Sequence, residues 1–231
     1  MKNISLTQTL RDNSLFISIV TALSVVIILG ISLVKPFQYE AKATLLVIQN
    51  QAGIDAYTAT KSAEKIGKNL TQIVASTAFY DDVTSMDPSL KGLFSNDVTK
   101  RRKEWKRDVS LAIVPETGIL ELSTYQEDKQ AVSQLLDTVS FVLMNQSEKY
   151  HGGGSAVTIQ MIDAVAVSKY PVRPNLVVNI IFAATLGLVL SSMYVLMKQA
   201  HELSNLTQVE NEANHGRGLN LKTSRDINGL S

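Results

Sequence analysis

The stretch YEAKATLLVIQ, from Tyr39 to Gln49, has the two-residue period of a β-strand. Apolar side chains alternate along it with polar ones, and the apolar set is Ala41, Ala43, Leu45 and Val47. A strand of this kind turns one face toward a core and the other toward solvent. The stretch therefore predicts that the central part of this 231-residue chain folds around a sheet with one buried face.

Helical periods follow the strand. Apolar residues recur at three- and four-residue spacing from about Tyr57 to Ser76, and a short helical turn is predicted around Phe79 to Val83. In SNDVTKRRKEWKRD, Ser95 is the expected N-cap, and the residues expected on one helical face are Val98, Arg102 and Trp105.

The next segment, DVSLAIVPETGILELSTY, predicts a hairpin whose turn is Pro115 to Gly118. A long helix is predicted from Glu127 to Tyr150, ended by Gly152 to Gly154. The alternation from Val157 to Val167 predicts a last strand. The resulting order is β-α-β-β-α-β, which predicts an α+β fold of the ferredoxin-like, split βαβ type. In that fold the first and last strands are antiparallel neighbours, so both ends of the domain should lie at one edge.

Two apolar runs flank this domain. Leu15 to Val34 and Leu176 to Met197 contain no charged residue over 20 and 22 positions, long enough to cross the hydrocarbon core of a bilayer. The first run ends in Val34-Lys35-Pro36 without a small-x-small cleavage site, so we interpret it as an uncleaved anchor and not a signal peptide. The predicted organisation is an N-terminal segment (1–14), a transmembrane helix (15–34), a folded domain (35–175), a second transmembrane helix (176–197) and a largely disordered tail (198–231).

Composition narrows the chemistry. The chain has 22 Lys and Arg against 21 Asp and Glu, so its net charge gives no reason to expect nucleic acid as a partner. With no cysteine there is no disulfide, thiolate metal site or cysteine nucleophile. No nucleotide-binding or zinc-ligand motif is present, so we expect neither a catalyst nor a cofactor. Basic residues near the ends of the apolar runs do not decide orientation, because the positive-inside rule applies poorly to so long a loop.

Three groups of residues are candidates for function. The first is a basic cluster made of Lys100, Arg101, Arg102, Lys103, Lys106 and Arg107. On a helix these cations spread around much of the circumference. If the cluster has no function, it is the solvated exterior of the helix. If it has one, it contacts an anionic glycan or lipid phosphate, or it forms salt bridges to a neighbouring subunit.

The second group is the proline motif Pro171, Arg173 and Pro174, which we expect to end the last strand and form a stiff spacer. Pro174 is expected in the first turn of the second apolar helix, and Lys169 and Arg173 near lipid headgroups. The third group is a face of small residues, Ala183, Gly187 and Ser191, that allows close helix approach. Ser18 and Ala22 have the same spacing in the first run.

His151-Gly152-Gly153-Gly154 is similar to the oxyanion-hole loop of esterases. That chemistry needs a serine in a G-x-S-x-G turn, and the chain has none. We therefore interpret the glycines as a helix stop and connector. A membrane-anchored esterase that uses His151 is the least favoured hypothesis.

The layout, the start Tyr39-Glu-Ala41-Lys-Ala43-Thr-Leu45 and the sequence IDAVAVSKYPVRPN before the second run resemble the Wzz-type chain-length determinants, or polysaccharide co-polymerases. The closest part of the match is Pro171, Arg173, Pro174 and Asn175. The resemblance implies a bacterial inner- or plasma-membrane protein with both termini cytoplasmic and the domain outside. It further implies a ring of identical subunits that sets the length of a capsule, exopolysaccharide or O-antigen chain made by a separate polymerase.

The central segment is too short for the long helical extension of large members of that family, so the chain is more similar to the short, capsule-assembly members. Those often work with a cytoplasmic tyrosine kinase. The alternative function is therefore a signalling adaptor whose tail activates a separate kinase, although this tail contains no tyrosine.

Overall fold

The computed structural model describes residues 6–49, 53, 55–146, 148–151 and 156–227. The chain divides into two compact units. One unit contains both long apolar helices, and the other runs from Lys35 to Pro174. The predicted mixture of helix and sheet is confirmed, and the sheet is antiparallel with four strands.

The sheet of the Lys35–Pro174 unit is formed by β1 (Tyr39–Gln49), β2 (Val109–Ile113), β3 (Ile119–Gln126) and β4 (Val157–Val167), in the order β2-β3-β1-β4. β1 lies at the centre, where Leu45 pairs with Leu120 of β3 on one side and with Met161 of β4 on the other. The first and last strands are antiparallel neighbours, as their sequence order predicts.

Helices occupy the connections: α3 (Ala56–Val74), α4 (Thr77–Met86), a 3-10 helix (Pro88–Leu93), α5 (Val98–Asp108), α6 (Lys129–Gln146) and α7 (Glu148–His151). The expected N-cap of α5 is wrong, because the cap is Asp97, whose side chain accepts a hydrogen bond from the Lys100 N–H. Ser95 instead accepts from the Asp97 N–H at 3.3 Å. Aspartate caps as well as serine, so composition alone could not choose between them.

The core lies between the helices and one face of the sheet. The alternating apolar residues predicted for β1, Ala41, Ala43, Leu45 and Val47, are all buried. Leu120, Leu122 and Thr124 of β3 join them. Trp105 of α5 is 1% exposed, and its Nε1–H donates to the Val74 carbonyl at 2.7 Å. This bond ties α5 to the end of α3.

The other unit contains α1 (Leu6–Asp12), α2 (Ser14–Leu33) and α8 (Leu176–Ile227). Ser14–Leu33 and Leu176–Glu202 are long and apolar enough to cross a membrane. The tail prediction differs from the structure, because helix continues through residues 198–227 where disorder was expected. Among residues 198–215 there is neither glycine nor proline to break the helix that precedes them.

Pro174 is not in the first turn of α8. The Asn175 side chain accepts from the Val178 N–H at 3.1 Å, in the manner of an N-cap, so Pro174 precedes the helix. In the sequence, the asparagine directly before the apolar run indicates this N-cap. The prediction was made from the prolines and did not use it.

Candidate functional site

The two ends of the Lys35–Pro174 unit meet at what we call the strand junction, which comprises Gln38 directly before β1, Glu40 at the start of β1 and residues 168–173 after β4. The Ser168 N–H donates to the Glu40 carbonyl at 2.8 Å. The two segments meet again where the Gln38 N–H donates to the Arg173 carbonyl at 3.0 Å. The Val172 N–H returns a bond to the Gln38 carbonyl at 2.8 Å. Val172 and Arg173 are therefore hydrogen-bonded to Gln38, whereas the prediction was a stiff spacer that leads away from the last strand.

Arg173 connects the strand junction to two other elements. Its guanidinium lies 3.3 Å from the ring centroid of Tyr125 on β3, and Nη1 donates to the Arg107 carbonyl at 2.9 Å. The Tyr125 hydroxyl donates to Glu40 at 2.6 Å. Burial, together with that hydrogen bond, raises the pKa of Tyr125, and the charge of Arg173 opposes the increase. Arg173 thus holds the end of α5, β3 and the chain after β4 together.

A second contact at the strand junction uses the buried carboxylate of Asp108. Arg107 donates to it through Nε at 2.7 Å and through Nη2 at 2.8 Å, a two-point pairing that raises the pKa of the guanidinium. The Gln38 side chain reaches the same carboxylate at 3.4 Å. These contacts link the last residues of α5 to the start of β1.

The basic cluster on α5 divides into two sets. Three cations interact within the domain: Arg107 with Asp108, Lys100 with Glu104 at 3.9 Å, and Arg101 with the ring of Tyr80 at 5.1 Å. The face predicted from Val98, Arg102 and Trp105 lines one narrow cleft, although Val98 is 59% exposed and only Trp105 is buried.

The other three cations, Arg102, Lys103 and Lys106, are exposed, and Arg102 also lines the cleft beside Trp105. Across the described part of the chain none of the three forms an ion pair. They form a positive surface of three charges.

The face of small residues on α8 lies against α2. Ala183 and Ser191 are buried, and the Ser24 hydroxyl of α2 donates to the Ala183 carbonyl at 3.0 Å. A Cβ at Gly187 would overlap Ser24 Oγ and lie 2.9 Å from Thr21 Cα. The Asn179 amide donates to the Ser32 hydroxyl at 2.8 Å.

On α2, the residues at the contact are Thr21, Ser24 and Ser32, whereas Ser18 and Ala22 are exposed. Small size alone does not identify the packed face. A hydroxyl group does not identify it either, because Ser18 carries one and is exposed, whereas Thr21, Ser24 and Ser32 lie at the contact.

Other motifs contribute little. The side chain of His151 and residues Gly152 to Gly154 lie outside the described residues. Asp82 accepts hydrogen bonds from Lys149 at 3.0 Å and from the Tyr150 hydroxyl, so it connects α4 to α7 and is separate from Asp81. Within the described ranges, no group of three or more His, Cys, Asp and Glu side chains is placed to hold a metal ion.

No model of a known protein family matches the chain. A search of curated proteins likewise gives no significant match. The assignment of function therefore depends on the residues and contacts described above.

Proposed function

We propose that the chain is a non-enzymatic membrane scaffold, similar to polysaccharide co-polymerases, that regulates the length or assembly of a bacterial surface polysaccharide. The observation that carries the proposal is the strand junction, formed from the two short motifs on which the resemblance to that family depends. Its Gln38–Arg173 pairing brings the two ends of the unit together, as a domain between two membrane helices requires. Arg173 and Tyr125 fix that pairing to the sheet.

In this proposal α2 and the apolar part of α8 cross the membrane, and the Lys35–Pro174 unit is a ferredoxin-like domain on the outer side. The strand order β2-β3-β1-β4, with every neighbouring pair antiparallel, supports that name for the fold. The hydropathy of the helices and the polar contacts between them support a paired arrangement in lipid. Both termini would then be cytoplasmic.

As a scaffold, the protein would act as a homo-oligomeric ring beside the polymerase and the growing glycan. The exposed cations of α5 offer a surface for an acidic patch of a neighbouring subunit or for the glycan. Binding the chain near the polymerase would change how often elongation ends. No bond of the sugar is made or broken by the scaffold itself.

The proposal is tested in the cell that produces the protein. Deleting the gene should change the length distribution of the surface polysaccharide on gels, and restoring the wild-type gene should reverse the change. The double variant Pro171→Ala/Pro174→Ala should restore it only partly, because the strand junction is loosened. The matched control Pro88→Ala, at the start of the 3-10 helix, should restore it fully. An unchanged distribution after deletion would sink the proposal.

The signalling alternative has one observation in its favour, the helix that continues to Ile227 beyond the apolar segment. Truncation after Gln199 separates the two functions. A scaffold keeps its control of polysaccharide length without the tail. An adaptor loses it, along with tyrosine phosphorylation of its partner kinase.

A further inference from the structure

Arg101 is a half-buried cation that the domain leaves without an anionic partner. Its guanidinium lies 5.1 Å from the ring centroid of Tyr80, and among the described residues no carboxylate forms an ion pair with it. A cation that is partly removed from water loses solvation, and a nearby anion compensates for that loss. The five N–H donors of a guanidinium match a carboxylate or phosphate.

Arg101 and Tyr80 stand where two clefts between α4 and α5 meet. The smaller cleft, about 10 Å³, is also lined by Ser76, Thr77, Val98, Arg102 and Trp105. The larger, about 380 Å³, is also lined by Asp81, Thr84, Ser85, Lys91, Ser95 and Asn96. We call the two together the α4–α5 groove. The smaller cleft has space for about one water molecule, whereas the larger falls within the roughly 300 to 1,000 Å³ of typical small-molecule sites, so the larger cleft is the one that can hold a ligand.

The side chains of the larger cleft suit a ligand rich in hydroxyl groups. Hydroxyls and the Asn96 amide both donate and accept hydrogen bonds, and the Asp81 carboxylate accepts from a sugar hydroxyl. Lys91 and Arg101 add positive charge to one cleft, and Arg102 adds it to the other. Three cations against one carboxylate favour a ligand that carries negative charge itself.

We propose that the α4–α5 groove binds an acidic saccharide, with the anionic group of one sugar residue paired to Arg101 and neighbouring hydroxyls in the larger cleft. The inference deepens the proposed function, on which it rests, by naming the class of glycan that the domain recognises. The shared chemistry is an anion on a sugar, supplied by a uronate carboxylate or a sugar phosphate.

Nucleic acid does not fit this groove. Single strands are held by stacking of bases on exposed rings. Here Tyr80 is 6% exposed with a guanidinium over its ring, and Trp105 is 1% exposed, so neither ring is open to a base. Recognition by hydrogen bonds and charge remains, which is the chemistry of an acidic sugar.

The chain contains a reporter at this position, because Trp105 is its one tryptophan and lines the smaller cleft. The full-length protein in detergent micelles is titrated with hexagalacturonate while Trp105 fluorescence is recorded. Maltohexaose is the neutral probe of equal length, and galactose 1-phosphate and inorganic phosphate are the phosphate probes. We expect a saturable change with hexagalacturonate or galactose 1-phosphate, and none with maltohexaose.

Variants locate the site. Arg101→Gln should weaken binding by about tenfold, the effect of losing one charge-assisted contact. Lys91→Gln, in the larger cleft, should weaken binding several-fold. This second variant tests the site independently if Arg101→Gln perturbs folding. The matched control Lys65→Gln removes the same charge at an exposed position of α3, outside both clefts, and should bind as wild type does. Asp81→Asn should strengthen binding of an anionic sugar, because one repulsive charge is removed.

Several results would overturn the inference. They are no saturable change with either acidic sugar, equal weakening by Lys65→Gln and Arg101→Gln, or inorganic phosphate binding as tightly as the acidic sugars. Failure of the proposed function is seen separately, as an unchanged polysaccharide length after gene deletion. A positive Trp105 titration with unchanged lengths would retain the binding site and remove the scaffold role.

Discussion

The guanidinium of Arg173 lies 3.3 Å from the ring centroid of Tyr125, and the Tyr125 hydroxyl donates to Glu40 at 2.6 Å. One aromatic ring thus connects the residues on either side of the strand junction. Cation–ring contacts of this kind contribute about 0.5 to 2 kcal/mol, more when water is excluded.

Replacing Arg173 by glutamine should loosen the strand junction. The variant loses the contact with the ring and the hydrogen bond to the Arg107 carbonyl, so opening should become easier by about 1.4 kcal/mol. Hydrogen exchange should then be about tenfold faster in peptides that contain Gln38 and Val172. Lys169→Gln, which removes only a cation beside the ring of Tyr170, is the control. Equal protection in both variants would contradict the role given to Arg173.

Replacing Gly118 by alanine should destabilise the hairpin between β2 and β3. A Cβ at this position would lie 2.6 Å from the Val47 carbonyl oxygen and 3.1 Å from Ala63 Cβ. Because the first neighbour is backbone, the strand must shift, and overpacking of this kind costs about 1 to 3 kcal/mol. Urea unfolding followed by Trp105 fluorescence measures the loss. Gly92→Ala, with no atom within 4 Å, should unfold as wild type does, and equal midpoints for the two variants would refute the steric argument.

A disulfide should form between α2 and α8 in the variant Ser24→Cys/Gly187→Cys. A Cβ at position 187 would lie 3.1 Å from Ser24 Cβ and 2.9 Å from Thr21 Cα, so the two helices must move slightly apart, and that movement brings the Cβ pair into the range of about 3.5 to 4.5 Å that a disulfide requires. The chain has no cysteine of its own, so mild oxidation should give one intramolecular product, identified by peptide mass. The control pair Ser24→Cys/Leu186→Cys places the second thiol on an exposed position one residue away. Cross-linking of the control as efficient as that of the test pair would be evidence against this packing.

Glu64 on α3 should make stability depend on pH in the acid range. Hydrogen bonds from Lys68 at 2.8 Å and Lys61 at 3.2 Å lower the pKa of its carboxyl from 4.5 to about 2. Because the folded-state pKa is the lower one, the stabilisation is complete above pH 4.5 and is lost as the pH falls toward 2.

The stability difference between wild type and Glu64→Gln should therefore narrow over that interval, as measured by urea unfolding at several pH values. Glu121→Gln, at an exposed position on β3, is the control and should show a smaller dependence. If the difference in unfolding free energy stays constant from pH 5 to pH 2, the two lysines do not lower the pKa of Glu64.

Much of the sheet could be predicted, because burial on one face imposes a visible two-residue period. Ala41 to Val47 show it, and these apolar residues are buried as expected. The pairing of the first and last strands followed from the order of the segments. Hydrogen bonds between backbone groups produce no periodic pattern in the sequence. The two prolines therefore did not predict that Gln38 pairs with Arg173.

The candidate residues were harder to place for two physical reasons. Residues that are adjacent in sequence point to different sides of a helix. The sequence therefore showed the six cations of α5, but not which of them interact within the domain and which are exposed. Arg101 depends on Tyr80, a residue 21 positions earlier whose ring becomes a partner only after α4 and α5 pack. Likewise, Thr21 and Ser24 contact α8 where Ser18 and Ala22 do not, a difference of one helical face.

Two residues separate Gln38 from Glu40 on the segment that leads into β1, whereas five separate Ser168 from Arg173 on the segment after β4. The surplus residues, Lys169 to Pro171, form a loop whose ends are both fixed by hydrogen bonds. A loop of this kind absorbs insertions, since added residues need not change the register on either side of it. Lys169 and Tyr170, which precede the proline motif, are therefore the natural place in this chain for an epitope tag.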